Sequence, residues 1–342
     1  MISQTLRTLI LITAASAAAF RGIAGEPGRY GVVEFSACYM REEPGYTKEL
    51  GNQALMGTVV TLGDREGYWR QITTPDPYTA WVDEMSVVEM TEDAVNEYIA
   101  APKYIVLEGI SRIFSKASKN SSSLSDLVSG DLLRIALDGK GKPVRKGSFL
   151  KVILPSGKEG WVLRRVVAEF GKWAREVKAS PERIVAEAKK SVGVPYLWGG
   201  NTAKGADCSG LVKGAFFACG LLVPRNTGQQ IKLGEAIDAS GIFEDDFSSL
   251  REGDLVFFGD KETMRPSHVA IYCGDGHIVH SSMIVRVNSL RPADDDYYAG
   301  GLDRLIAVRR LLSPSGDGSF VPAGGVIPIS LSPFYFPSVN IK

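Results

Sequence analysis

Cys208 lies between Asp207 and Ser209 where an apolar helical pattern begins, and the chain's three histidines, His268, His277 and His280, all fall between positions 268 and 280. Free N–H groups and the dipole at a helix start favour an anion there, which raises the thiolate fraction of a cysteine. A thiol nucleophile also needs a base, and the base needs a partner on its second ring nitrogen to fix the tautomer. The turn Gly274-Asp275-Gly276 joins His268 to His277 and His280 as a hairpin. With those three residues as the loop, Cys273 pairs with His277 and Ala270 with His280. His268 and His280 then become same-face diagonal neighbours, roughly 7–8 Å apart between Cα atoms. A slip of one residue would put His277 on that face instead. The roles offered are Cys208 as nucleophile, His268 as base and His280 as orienter. Cys38, Cys219 and Cys273 read as small buried hydrophobes, and Cys208 taken alone could be another.

These residues need a frame. Ser180-Pro181-Glu182 supplies a capping hydroxyl, a first-turn proline and an acid ahead of Ile184, Val185, Ala188 and Val192, with Gly193 as the stop. A second helix is expected from Cys208 to Cys219, capped by Asp207 and ended by Gly220. Strands are expected at Asp254 to Phe258, His268 to Cys273, His277 to Ser281 and Leu305 to Leu311. Helices followed by an antiparallel sheet give an α+β domain over residues 181–311.

Upstream lies a repeat. Trp69 and Phe149, Pro75 and Pro155, and Trp81-Val82 and Trp161-Val162 all stand 80 positions apart, whereas Gly57 and Gly130 stand 73 apart. The second copy therefore carries about seven extra residues, assigned to the polar loop from Asp138 to Lys146. Each copy has short strands: Thr58 to Leu62, Tyr68 to Thr73 and Ala80 to Val82, then Leu132 to Ala136, Phe149 to Leu154 and Gly160 to Leu163. Two small β-barrels are expected, with Trp81 and Trp161 filling their cores in preference to the alternative of contacting a ligand. In the Pro/Gly/Ser-rich tail from Ser313, Phe334-Tyr335-Phe336 marks a segment that packs back.

Composition removes several function classes. A chain of 342 residues, 44% hydrophobic and 23% charged, implies two or three domains. Thirty-nine Lys and Arg cancel 39 Asp and Glu, so no net field recruits nucleic acid. Cysteine and histidine spacing offers no structural zinc site. Gly199-Gly200 and Gly274-x-Gly276 read as turn glycines and not phosphate loops, so no metal, nucleotide or redox cofactor is expected. Residues 1–24 read as an export signal: Arg7, an apolar stretch from Thr8 to Phe20, and small residues suited to cleavage after Ala19 or Ala24. That stretch is too short to span a bilayer, so an exported envelope protein with no membrane span after cleavage is expected. The sequence carries no signature of an oligomeric state.

Five blocks then combine: Pro195-Tyr-Leu-Trp-Gly-Gly, Asp207-Cys-Ser-Gly-Leu-Val, Gly253-Asp-Leu-Val-Phe-Phe, Ser267-His-Val-Ala-Ile-Tyr and His277-Ile-Val-His-Ser. In order and spacing they resemble the NlpC family of papain-like cysteine peptidases that cut peptidoglycan peptides. The upstream repeat resembles the SH3-like modules of secreted wall enzymes. The implied organisation is a signal over 1–24, SH3-like barrels over 25–95 and 103–170, a peptidase domain over 171–312 and a tail over 313–342. The resemblance implies catalysis by Cys208, His268 and His280, leaves His277 as a surface or loop residue, and puts the Tyr196 hydroxyl near the oxyanion.

Enzymes with two such modules resemble γ-D-glutamyl-L-diamino acid endopeptidases acting on peptidoglycan stem peptides (L-Ala-γ-D-Glu-diamino acid) with a free N-terminal L-Ala. This implies Glu49, Tyr78, Asp207 and Ser209 around the substrate amine, and Trp198 among the substrate-binding residues. Arg225 and Thr227 would lie beside the cleft, with Arg225 on the D-glutamate carboxylate. Asn226 departs from the aspartate expected in that loop. The rival readings are amide or acyl transfer on another secreted substrate, and a non-catalytic wall-binding protein; the second would have lost one of Cys208, His268 or His280, and none is missing.

Overall fold

The computed structural model describes residues 30–337; the expected export signal lies outside the described residues. The first part is an antiparallel sheet of β1 (Tyr30–Val33), β2 (Ala37–Arg41), β3 (Leu50–Leu55), β4 (Val59–Glu66), β5 (Trp69–Thr73), β6 (Thr79–Asp83) and β7 (Val87–Met90). Its strands run in the order β3-β2-β6-β5-β4-β1-β7. After helix α1 (Glu92–Ala100), a second sheet comprises β8 (Lys103–Val106), β9 (Ile110–Phe114), β10 (Ser123–Val128), β11 (Leu132–Ile135), β12 (Arg145–Lys146), β13 (Phe149–Ile153), β14 (Glu159–Leu163) and β15 (Val167–Glu169). The repeat is real at strand level, since β13 and β14 begin 80 positions after β5 and β6. The extra residues of the second copy form a loop that ends in the added strand β12, which pairs with β13.

Within the repeat, the tryptophans depart from expectation. Trp81 and Trp161 are only half-buried, and the fully buried positions are their neighbours Val82 and Val162. Successive side chains of a strand point to opposite faces, so a core valine turns the adjacent tryptophan outward.

Beyond residue 170 come α2 (Phe170–Glu176), α3 (Pro181–Lys189), the short pair β16 (Asn201–Thr202) and β17 (Gly205–Ala206), α4 (Cys208–Ala218), β18 (Leu221–Leu222) and α5 (Thr227–Gln230). A six-stranded sheet follows: β19 (Glu235–Ile237), β20 (Leu255–Asp260), β21 (Arg265–Gly274), β22 (His277–Ser282), β23 (Ile284–Ser289) and β24 (Leu305–Arg310), in the order β19-β24-β20-β21-β22-β23. Strands β19 and β23 were not anticipated. α3 starts as expected, with the Ser180 hydroxyl accepting from Arg183 N–H and Pro181 in the first turn. α3 and α4 cover one face of the sheet through Ile184, Val185, Leu211, Val212 and Phe216 against Leu255, Phe257, Val269 and Ile271.

The first sheet docks beside the start of α4. Asn201 donates its N–H to Gln53 Oε1 (2.9 Å) and its Nδ2 to Asn52 Oδ1 (3.0 Å), and a half-buried Lys213–Asp76 ion pair (2.8 Å) also joins α4 to the first sheet. Gly199 adopts φ +77°, and a Cβ there would lie 2.2 Å from the Leu50 carbonyl oxygen, so glycine permits the close approach of loop and strand. The tail packs back as expected: Tyr335 and Phe336 meet Phe170 at 6.1 and 5.0 Å, and Tyr335 meets Phe217 of α4 at 6.2 Å.

Candidate active site

Cys208 is the first residue of α4. Asp207 caps the helix and is almost fully enclosed: Oδ1 accepts from Gly210 N–H (2.8 Å) and Arg225 Nη1 (3.0 Å), and Oδ2 from Gly199 N–H (2.8 Å) and Arg225 Nη2 (2.5 Å). Ser209 joins this network, accepting from Arg225 Nη1 (2.8 Å) and donating to Asp207 Oδ1 (3.2 Å). Arg225 is therefore neither a solvated surface charge nor a free carboxylate clamp. It is only 1% exposed, and its guanidinium is matched to Asp207. Asp207 and Ser209 are likewise committed to holding the helix start.

The Cys208 thiol is raised above its ordinary range, first by burial and then by the Asp207 charge, against the opposing pull of Val269 N–H, the Thr227 hydroxyl and Ser209 N–H. The expected lowering by the helix start is outweighed, chiefly by burial and then by the capping carboxylate one residue away. Thr227 thus acts beside the thiol, and Val269, the residue after His268, brings β21 to it. The thiols of Cys38, Cys219 and Cys273 are buried and pushed up to about 12, 12 and 11, mainly by desolvation, which leaves them unreactive. All four cysteines are free.

The histidine hairpin reaches the expected pairing by another route. The turn has only Asp275 and Gly276 at its centre, both at positive φ (47° and 69°), with Gly274 opposite His277 and a register shift between Tyr272 and Gly274. The shift restores the Ile271–Val279 register that the three-residue loop would have given. His268 Nε2 lies 2.8 Å from His280 Nδ1, and His280 Nε2 lies 3.0 Å from Asn288 Oδ1. His280 is fully buried. His277 turns away, its Nδ1 2.6 Å from the Asp275 carbonyl oxygen. Burial, with His280 and Arg304 nearby, lowers the His268 pKa to about 3, so its imidazole is neutral at physiological pH. Tyr298 packs on both rings, at 5.8 Å from His268 and 4.6 Å from His280. Asn288, Tyr298 and Arg304 had no local sequence signal; a Tyr-Tyr pair after three aspartates reads only as a loop.

A cleft of about 1030 Å³ opens over Cys208. It is lined from the first sheet by Glu42, Glu49, Gly51 and Tyr78, by Tyr196 and Trp198, by the Asp207–Ser209–Arg225 network, and from β20, β21 and beyond by Asp260, Arg265, Ser267 and Arg304. Trp198 Nε1 donates to Glu49 Oε1 (2.6 Å), and the Tyr78 hydroxyl donates to Glu42. Glu42 was missed: its partner is 36 residues away in sequence, and only the pairing of β2 with β6 brings them together. Burial and the neighbouring Cys208 and Asp207 push the Tyr196 hydroxyl up to about 12, so it stays a donor. Outside the cleft, His277, Asp294 and Asp296 bring potential metal ligand atoms within 4.8 Å of one another.

Residues 193–304 match the NlpC/P60 family. The chain carries an NlpC/P60 domain. It is 27% identical over 276 residues to a γ-D-glutamyl-L-lysine dipeptidyl-peptidase of Bacillus cereus, covering 77% of this chain and 76% of the relative. A Bacillus subtilis protein of the same name is 33% identical over 176 residues, covering 48% of this chain and 55% of the relative. A crystal structure of an NlpC/P60 family protein from Bacillus cereus shares the fold, with a TM-score of 0.68 at 20% identity, over 82% of this chain and 99% of that one. The NlpC/P60 match spans α4 and the histidine hairpin, and the Bacillus cereus relative extends the similarity over most of the described chain.

Proposed function

We propose that this NlpC/P60 protein is a cysteine endopeptidase that hydrolyses the γ-D-glutamyl-L-diamino acid bond of peptidoglycan stem peptides bearing a free N-terminal L-Ala. The observation that carries the reading is a cleft over Cys208 lined on the first sheet's side by two carboxylates, Glu42 and Glu49, each held by one aromatic donor, Tyr78 and Trp198. A short anionic peptide with an ammonium terminus fits that wall, whereas a longer chain would have to pass through it. Because Asp207 is already saturated by Arg225 and two backbone N–H groups, Glu49 and Glu42 take the amine, with Tyr78 holding Glu42. Arg265 and Arg304 are the lining cations left to meet the substrate's carboxylates. The names of the Bacillus relatives support the bond assigned, and the expected export signal supports action in the cell envelope.

In the proposed reaction His268 takes the Cys208 proton as the sulfur attacks the γ-carbonyl carbon of D-glutamate. The Tyr196 hydroxyl donates to the oxyanion as it forms. His268 then protonates the leaving amine, giving a thioester, and accepts a proton from the water that hydrolyses it.

Mass spectrometry of L-Ala-γ-D-Glu-L-Lys-D-Ala and its diaminopimelate counterpart, each with the amine free or acetylated, tests the reading. Cleavage after D-glutamate only in the free-amine peptides is expected, with Glu49→Gln raising KM ~10- to 100-fold, the worth of a charged hydrogen bond of about 1.5–3 kcal/mol. Equal cleavage of acetylated peptides would remove the amine wall from the proposal. Full activity in Cys208→Ala would end the cysteine mechanism.

A further inference from the structure

Buried His280 stands between His268 and Asn288 in a chain of polar contacts that continues beyond the catalytic pair to the Asp296 carbonyl. Asn288, on edge strand β23, is 9% exposed. Its Nδ2 donates to the backbone carbonyl oxygen of Asp296 (2.5 Å), and its Oδ1 faces His280 Nε2 (3.0 Å). A backbone carbonyl only accepts, so the Asp296 oxygen decides which end of the carboxamide faces it. The other end, an oxygen, also only accepts, so His280 Nε2 must carry a proton. A neutral imidazole has a single N–H, which leaves His280 Nδ1 as a lone pair, and the 2.8 Å contact with His268 Nε2 must then be a bond donated by His268. His268 Nδ1 is consequently unprotonated.

We infer that Asn288 is a positioning residue that fixes both histidines as Nε2–H tautomers and so leaves His268 Nδ1 as the free base, with the Asp296 carbonyl fixing Asn288 in turn. The loop that supplies this carbonyl is itself tied down. Ser289 N–H also donates to Asp296 O (3.2 Å), and Tyr298, whose ring packs on both histidines, donates its N–H to Ser289 O (2.8 Å). The charged side chains near the pair are cationic, Arg286 opposite His280 on β23 and Arg304 ahead of β24. Burial first, and then these cations, disfavour a second ring proton, against the upward pull of Asn288 on His280, so the neutral tautomer is the quantity to be set. Tyr298 and Cys208 complete the titratable surroundings, each raised above its ordinary pKa and so uncharged at neutral pH.

The catalytic consequence rests on the peptidase reading, whereas the tautomers do not, and the experiment separates them. Long-range ¹H–¹⁵N correlation on the full-length, histidine-labelled protein needs only three ring systems to be assigned. His268 and His280 are expected as Nε2–H. In Asn288→Leu, His280 should become a tautomer mixture, and the alkylation of Cys208 by iodoacetamide, followed by peptide mass spectrometry, should slow. Turnover should fall roughly 10²-fold with KM within about twofold, short of the ~10⁴-fold loss when an orienting residue imposes the wrong tautomer. Asn288→Asp keeps an acceptor for His280, so it should retain the tautomer and move the acid limb of the alkylation profile upward. An Nδ1–H His280 in the unsubstituted protein overturns the inference. So do unchanged tautomers and alkylation in Asn288→Leu, even where its melting temperature falls. If Asn288→Leu does not fold, the unsubstituted spectrum and Asn288→Asp decide. Tautomers as expected without peptide hydrolysis would uphold the positioning role and count against the proposed substrate.

Discussion

Replacing Arg225 with methionine keeps most of the side-chain volume and removes the charge that faces Asp207. The two residues are 1% and 6% exposed, and the guanidinium supplies two of the donors to the carboxylate, at 3.0 and 2.5 Å. Removing one partner of a buried pair leaves the other charge enclosed, at a cost of about 3–5 kcal/mol. Gly199 and Gly210 N–H still reach Asp207, so the lower half of that range is expected, a large fraction of the ~5–15 kcal/mol that holds a domain together. The discriminating comparison is a double-mutant cycle with Asp207→Asn, read from urea denaturation followed by tryptophan fluorescence. Each single change should cost about 3 kcal/mol, and the pair should cost less than their sum by about 1–3 kcal/mol, because the double variant buries no unmatched charge. Additivity within ~0.5 kcal/mol would refute the view that Arg225 serves Asp207. If Arg225→Met kept full stability and raised KM instead, the arginine would be a substrate ligand, as the resemblance first implied.

Other outcomes follow from the same contacts. With the His268 pKa lowered to about 3, kcat/KM should stay level from pH 8 down to about 5 and not halve near 6.5; a midpoint at 6.5 would place the imidazole in solvent. The depressed folded value also makes stability complete above pH 6.5 and lost as pH falls toward 3, by up to ~1.4 kcal/mol per pH unit; melting temperature against pH should show this, with a shallower slope in His268→Gln. Gly199→Ala forces a Cβ against the Leu50 carbonyl and strains a left-handed backbone, at ~1–2 kcal/mol or more. It should raise KM for free-amine peptides by displacing Trp198 from Glu49, and an unchanged KM would argue that the wall does not bind substrate. Tyr335→Ala should cost about 3–5 kcal/mol in urea denaturation if the tail is integral to the fold, since the ring is buried against Phe170 and Phe217.

Local physics made much of this protein legible in sequence. Ser180-Pro181 and Asp207 announced their helices because caps act within one turn, and the 80-residue repeat placed β5, β6, β13 and β14 because strand alternation is a short-range pattern. The histidine pair was readable because a hairpin register relates residues twelve apart, although the Cys273 bulge that preserves that register was not foreseen. Tertiary structure decided what depends on distant partners. It committed Arg225 to Asp207, brought Glu42 to Tyr78 and Glu49 to Trp198, and set Asn288 and the Asp296 carbonyl behind His280. It also reversed the expected direction for the Cys208 thiol, because burial is a property of the whole packed chain. Sequence spacing can place a nucleophile and a base on their elements, but the dielectric around them and the partner that fixes a tautomer exist only once sheet, helix and loop have met.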